Sequence, residues 1–213
     1  MEYKIKTVIF DHGDVIQRFD NDKFIKNISR GEYEEFLLNE IIFESDLYKL
    51  IDTNSITPKD FFKIVKTKFF NKVERKYQLK VNESEFFYEF TNRFSELDNR
   101  ILGMMDKLKT KGYKIGILSN TNKLDYTVVI SKIKKIIPID FEVMSHWIGV
   151  RKPCKQAYYK LSEIIQLYYS EILFIDNQEK NIRPASDIGI KTILYDGDPS
   201  KLESKLMESG IKI

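Results

Sequence analysis

Cysteine is almost absent from this chain. Its 213 residues include a single one, Cys154, which excludes an internal disulfide and any cysteine metal cluster. Histidine is nearly as scarce, and the two present, His12 and His146, leave no zinc-ligand spacing. No stretch approaches the ~20 apolar residues that a membrane span requires, and the opening residues enter a strand-like run without a signal-type hydrophobic region. A soluble, cytoplasmic protein with no membrane partner is expected. Charge of one sign is also lacking: 35 basic and 32 acidic residues leave a formal net charge of +3. Lysines and acids alternate along the length, so nucleic acid is not expected as a partner. The clusters Lys107, Lys109, Lys111 and Lys132, Lys134, Lys135 read as solvated helix faces. There is no low-complexity tract, internal repeat or Gly/Ser-rich linker.

Aromatic residues are plentiful. Fifteen Phe and 12 Tyr, within 42% hydrophobic residues, argue against disorder and for a real core. The length suits one domain, or one core domain carrying a small insertion.

Lys6 to Phe10 is a short β-rich run that stops abruptly at Asp11-His12-Gly13-Asp14. The same grammar recurs at Lys114 to Leu118, before Ser119-Asn120-Thr121-Asn122, and at Ile172 to Ile175, before Asp176-Asn177. Phe141 to Met144 and Ile190 to Tyr195 add two more strands. Amphipathic helical stretches such as Ile101 to Lys111 and Lys155 to Gln166 separate most of them. Strands alternating with helices predict an α/β fold with a doubly wound parallel sheet. In such sheets ligands bind beyond the carboxyl ends of the strands, which nominates Asp11, Ser119, Asn120, Asp176 and Asn177.

From about Phe19 to Phe94 the pattern is helical, with segments at Glu32 to Phe43, Pro58 to Phe70 and Glu83 to Phe94. The expected division is a core of residues 1–18 and 97–213 and a helical insertion of residues 19–96, joined by crossings near Arg18 and Leu97. Thr57-Pro58-Lys59-Asp60 carries the clearest helix start, with an N-cap threonine, proline at the first helical position and an acid in the first turn. A C-terminal helix over Pro199 to Ser209 closes the core.

The chemistry of these residues is suggestive together. An aspartate after a buried strand can present its carboxylate to an electrophile while neighbouring backbone N–H groups hold an anion. Ser119 and Asn120 add a hydroxyl and an amide at the same edge. Lys152, just before Pro153, where the next helix is expected to begin, supplies a cation. Cys154 is expected to be structural, and His146 with Trp147 to pack near the approach to Lys152.

In this order the pieces resemble the haloacid dehalogenase-like (HAD) superfamily, in particular members with an α-helical cap. Val8 to Ile16 is similar to its first motif, Ile117 to Asn122 to the second and Gly149 to Pro153 with Tyr158 and Tyr159 to the third. Phe174 to Asn177 with Asn181, Ile182, Ala185 and Gly189-Ile190 resembles the fourth. The Phe-Asp-x-Gly-x-Val pattern looks like small sugar-phosphate phosphatases and the phosphatase domain of epoxide hydrolases. The resemblance implies a phosphatase acting on a small phosphoester, with catalytic Asp11 and Lys152 and an aspartyl-phosphate intermediate. It further implies substrate contacts from Ser119, Asn120, His12 and Gly13, and Mg²⁺ held by Asp11, the Gly13 carbonyl, Asp176 and Asn177.

Two departures stand out. Phosphatases of this superfamily place a second aspartate two residues after the nucleophile, where this chain has Gly13, and a second carboxylate where it has Asn177. Weaker Mg²⁺ binding and a preference for activated esters are expected. The same losses leave two alternatives: a HAD-fold binding protein of little or no turnover, and a metal-independent 2-haloacid dehalogenase.

Overall fold

The computed structural model describes residues 4–30, 35–71, 74 and 80–213. Thr7–Phe10 (β1), Lys114–Ser119 (β4), Phe141–Met144 (β5), Ile172–Asp176 (β6) and Lys191–Leu194 (β7) form a parallel sheet in the order β5-β4-β1-β6-β7. β1 and β6 are buried along their whole length, as expected of strands covered on both faces by helices. Successive side chains alternate between the faces. Val8, Phe10, Ile115 and Ile117 join the core beneath the helices Asn99–Thr110, Lys123–Ile136 and Pro199–Glu208. Ile9, Leu118 and Phe174 pack on the other side with Tyr158 and Leu161 of the helix Lys155–Ile165.

The sheet register sets the functional edge. Phe10 lies opposite Ile117 on one side and Ile175 on the other, so the next residues, Asp11 and Asp176, emerge level on adjacent strands, about 4.8 Å apart in the pairing direction. On the other side of β1, Gly116 of β4 fits closely between Ile9 and Phe141. A Cβ there would stand 2.5 Å from Ile9 Cδ1 and 3.2 Å from the Phe141 carbonyl oxygen.

The aromatic residues of the insertion make a core of their own. Phe24, Phe61, Phe86 and Phe90 are fully buried there, and Phe24 meets Phe90 edge-to-face at 5.4 Å between centroids, a geometry that adds to simple burial. The helix Pro58–Val65 starts at the expected place, with a reciprocal capping box between Thr57 and Asp60.

Several expectations need correction. The helix expected to run to Phe94 is Glu83–Thr91, and Phe94–Leu97 (β3) pairs antiparallel with Gln17–Phe19 (β2). The two crossings are therefore a two-stranded ribbon. Its strands are too short to show a period, and it is held by contacts distant in sequence, such as Phe19 on Phe94 at 5.1 Å. The predicted helix start at Glu32 lies outside the described residues; the described part is Glu35–Asn39, followed by a π-helical turn Glu40–Glu44. Pro153 does not open a helix, because the following helix begins at Lys155. Three of the clustered lysines make surface ion pairs, Lys107 with Glu203, Lys109 with Asp140 and Lys134 with Glu142. Among the described residues no helix is long and apolar enough to cross a membrane.

Candidate active site

Beyond the carboxyl ends of β1, β4 and β6 lies a cavity of about 900 Å³. Asp11, Gly13, Ser119, Asn120, Lys152 and Asn181 line its base, while Phe19, Tyr48, Lys49 and Thr53 come from the ribbon and the helical insertion. Segments far apart in sequence thus meet around one space.

Lys152 is the centre of the charge arrangement. Its ammonium is 2.7 Å from Asp11 Oδ1 and 2.7 Å from Asp176 Oδ2, and its side chain is 1% exposed. A buried lysine needs such partners, since an unpaired charge there would cost several kcal/mol or lose its proton. Asn120 fixes the backbone of Lys152 from both sides: its Oδ1 accepts the Lys152 N–H at 2.9 Å, and its Nδ2 donates to the Lys152 carbonyl at 2.9 Å. Asn120 therefore positions the lysine that contacts Asp11.

Asp11 also accepts the His12 backbone N–H at 2.7 Å through Oδ1. Burial pushes its carboxyl up to about 7; Lys152 opposes that rise and Asp176 reinforces it. Once Asp11 is ionised, two carboxylates and one ammonium share the cluster, leaving one excess negative charge that a cation can offset.

Asp176 is saturated. Oδ2 takes Lys152 Nζ and Asn181 Nδ2, while Oδ1 takes the Gln178 N–H at 2.8 Å and Asn181 Nδ2 at 3.1 Å. By contrast, the amide oxygens of Asn177 and Asn181 are buried with no hydrogen-bond partner. For Asn181 the amide nitrogen faces the Asp176 carboxylate, so the orientation is determined and the lone acceptor is its oxygen. Unmet buried acceptors cost about 1–3 kcal/mol each unless a donor or cation reaches them. Among the described residues no group of three His, Cys, Asp or Glu side chains could hold a metal. An oxygen site here would thus depend on amide and carbonyl oxygens beside Asp11, a donor set that suits a hard cation such as Mg²⁺.

His12 sits elsewhere than expected. Its side chain does not line the cavity but lies 3.1 Å from Gln17 Oε1 and edge-on to Phe19 at 5.4 Å. Burial is the main cause of its pKa falling to about 4, so the ring is neutral at pH 7 and ties the Asp11 loop to the ribbon. Asn177 likewise does not line the cavity, although it adjoins Asp176. His146 bonds the Thr121 carbonyl at 2.9 Å and packs against Tyr126 and Trp147, away from the cavity lining.

Sequence reasoning missed a polar junction above this site. Arg93, 1% exposed, donates to Asp125 Oδ2 at 2.6 Å and to the Tyr48 hydroxyl at 3.0 Å. Asp52 has no exposure, and its backbone carbonyl accepts the Ser145 hydroxyl at 2.6 Å. Arg151 Nη2 is 3.1 Å from Asp52 Oδ2, although that oxygen accepts no hydrogen bond; the pair is held by charge and not by an aligned N–H. No spacing in the sequence announces these contacts, because each joins residues far apart in the chain, and all but Arg93–Tyr48 join the insertion to the core.

A parallel sheet with a carboxylate, hydroxyl and ammonium at one edge, beneath a helical insertion, is the architecture of an α/β hydrolase with a helical cap. The chain belongs to the haloacid dehalogenase-like hydrolase family, whose model matches residues 8–195. A HAD family enzyme from Bacteroides thetaiotaomicron, solved in complex with magnesium and inorganic phosphate, is 20% identical with a TM-score of 0.77, over 93% of this chain and 98% of that one. A predicted HAD-like family hydrolase from Porphyromonas gingivalis is 17% identical with a TM-score of 0.73, over 95% and 98% of the two chains. The L-2-haloacid dehalogenase from Xanthobacter autotrophicus, with chloropropionic acid covalently bound, is 16% identical with a TM-score of 0.63, over 98% and 85%.

Proposed function

We propose that the protein is a phosphatase of small phosphomonoesters that uses Asp11 as nucleophile and Mg²⁺ as cofactor. The observation that carries this reading is the Asp11–Lys152–Asp176 cluster, with each contact at 2.7 Å, beside unpartnered amide oxygens at the same strand edge. A phosphoryl dianion adds more negative charge to this cluster than a monoanionic haloacid does, and so has the greater need of a further cation.

Asp11 attacks phosphorus with one carboxylate oxygen, the bond to the leaving oxygen breaks, and solvent supplies that oxygen's proton. Water then cleaves the aspartyl phosphate, releasing inorganic phosphate and the Asp11 carboxylate. Lys152 and Ser119 stabilise charge on the phosphoryl oxygens, and Asn120 holds Lys152 in place. Bound Mg²⁺, held by Asp11 and the Gly13 carbonyl at the cavity base, and by the Asn177 amide oxygen were that side chain to turn towards the cavity, would supply further charge neutralisation at phosphorus. Asp176, whose oxygens are taken, serves as the counter-ion of Lys152 and lies beside that set. Residues 19–96 act as a cap over the core of residues 1–18 and 97–213, closing over bound substrate.

The test is phosphate release from 4-nitrophenyl phosphate with and without Mg²⁺, together with halide release from 2-chloropropionate. Metal-dependent phosphate release that disappears in Asp11→Asn supports the reading. Halide release without metal would establish the dehalogenase instead, and neither activity in a folded protein would leave a binding protein.

A further inference from the structure

The cavity wall above Lys152 contains a guanidinium that the proposed hydrolysis does not use. Arg151 lines the cavity and is the chain neighbour of Lys152, whose backbone Asn120 clamps. The two cations are thus set one residue apart, about 3.8 Å between Cα atoms. Arg151 is held from the insertion as well. Its Nη2 is 3.1 Å from Asp52, a fully buried carboxylate that Asn122 contacts at 3.3 Å, and its Cζ stands 6.0 Å from the centroid of the Tyr48 ring.

Yet its donors are not spent. Asp52 Oδ2 accepts no hydrogen bond, and Arg151 Nε is buried without an acceptor. A guanidinium that is pinned in place with an N–H left unpaired is preorganised for a planar or tetrahedral anion. The other charged groups around the cavity are less available or less firmly held. Lys180 also lines the cavity, but it is exposed on the first turn of the helix Glu179–Asp187, whereas Arg151 is half-buried and held by Asp52. Lys152 is committed to Asp11 and Asp176, and Lys49 is paired with Asp46 at 2.7 Å. Asp20 caps the helix Asn21–Ser29 by accepting the Lys23 N–H, and Asp14 accepts the Phe19 N–H.

We propose that Arg151, positioned by Asp52, receives a second anionic group of the substrate, so that the site selects small phosphomonoesters that also carry a carboxylate or another phosphoryl group. This rests on the phosphatase reading for the first anion. The second anion has its own subsite and its own test.

The experiment is isothermal titration calorimetry of the full chain at fixed free Mg²⁺. The ligands are methylphosphonate, phosphonoacetate, 3-phosphonopropionate and methylenediphosphonate. At least one doubly anionic ligand should bind about tenfold or more tighter than methylphosphonate, the effect of one or two charge-assisted hydrogen bonds. The carboxylates and the diphosphonate separate the two sources of the second anion. In Arg151→Met that preference should collapse towards unity, and in Asp52→Asn it should weaken while the charge of Arg151 is retained. Equal binding of all four ligands by the wild-type chain overturns the inference, as does a preference undiminished in Arg151→Met. If Arg151→Met does not fold, the wild-type ligand series and Asp52→Asn decide. Aryl phosphate hydrolysis without any second-anion preference would sink this inference alone, and a clear preference without hydrolysis would sink the catalytic reading alone.

Discussion

A side chain at position 13 would have to displace the ring of Phe19, since a Cβ built on Gly13 falls 2.3 Å from Phe19 Cε2. Phe19 in turn is wedged against His12 and Phe94. The place two residues after Asp11 is therefore filled by an aromatic ring from the ribbon. Gly13→Asp should lose about 1–3 kcal/mol in urea denaturation, the usual cost of overpacking, and Gly13→Asp with Phe19→Ala should lose less of it at that position. A Gly13→Asp protein as stable as wild type would show that the ring yields freely. With no acid at that position, alkyl phosphates should be hydrolysed ~10²–10⁴-fold more slowly than aryl phosphates, the usual worth of general acid help; equal kcat/KM values for the two would contradict this.

Asp52 carries a pH dependence of its own. Burial raises its carboxyl from 3.8 to about 7, against the pull of Arg151. The folded state keeps a proton that the unfolded chain has released, so the resulting stability is complete below about pH 4 and is lost as pH rises through about 7. Relative to Asp52→Asn, the wild-type chain should lose stability between pH 5 and 7.5, by at most about 3 kcal/mol. Thermal melts of both proteins across that range check it, because other buried carboxyls, including Asp11, are common to both. Parallel curves would mean that Asp52 is already ionised at pH 5.

Elements whose signals are local were legible. The helix Pro58–Val65 begins where Thr57 and Asp60 said it would, and Thr57→Ala should cost about 1 kcal/mol by removing the bond to the Asp60 N–H at 3.1 Å. A loss below a few tenths in chemical denaturation would show that the capping box is already frayed in the native state. The five core strands are short apolar runs ended by polar residues, and their position and parallel class followed from that pattern, whereas their spatial order did not. The pattern also placed Asp11, Ser119 and Asp176 at one edge, where Lys152, expected from the family resemblance, joins them. The ribbon was not legible, because its three- and four-residue strands carry no period and look like the end of a helix. The part of His12 was hidden for a related reason: its neighbour in the sequence is Asp11, but its contacts are Gln17, Phe19 and Phe94. Asn181 was visible only as one letter of a motif, whereas its amide closes off Asp176 and leaves an acceptor bare. Such contacts depend on side-chain direction, which spacing does not encode.

At the scale of the whole molecule, the insertion has its own aromatic core and meets the sheet domain through charged residues that are almost wholly buried. Arg93 belongs to the end of the insertion, and Asp125 to the helix beyond β4. Their contact at 2.6 Å, with side chains 1% and 6% exposed, lies beside the Phe90 ring, whose centroid is 3.8 Å from the guanidinium carbon. Breaking such a pair from one side is costlier than removing both charges, because the remaining ion is left desolvated. Arg93→Met should therefore lose about 3–5 kcal/mol. Arg93→Met combined with Asp125→Asn should recover more than half of that loss, since Asn122 can still bond to the residue at 125 through the contact now at 2.7 Å. Urea denaturation of the two variants and of Asp125→Asn alone closes the cycle. If the double variant is as unstable as Arg93→Met, the junction is held by the shape of the arginine between its aromatic neighbours and not by its charge; the insertion would then be joined to the core by packing, and salt should leave that junction untouched.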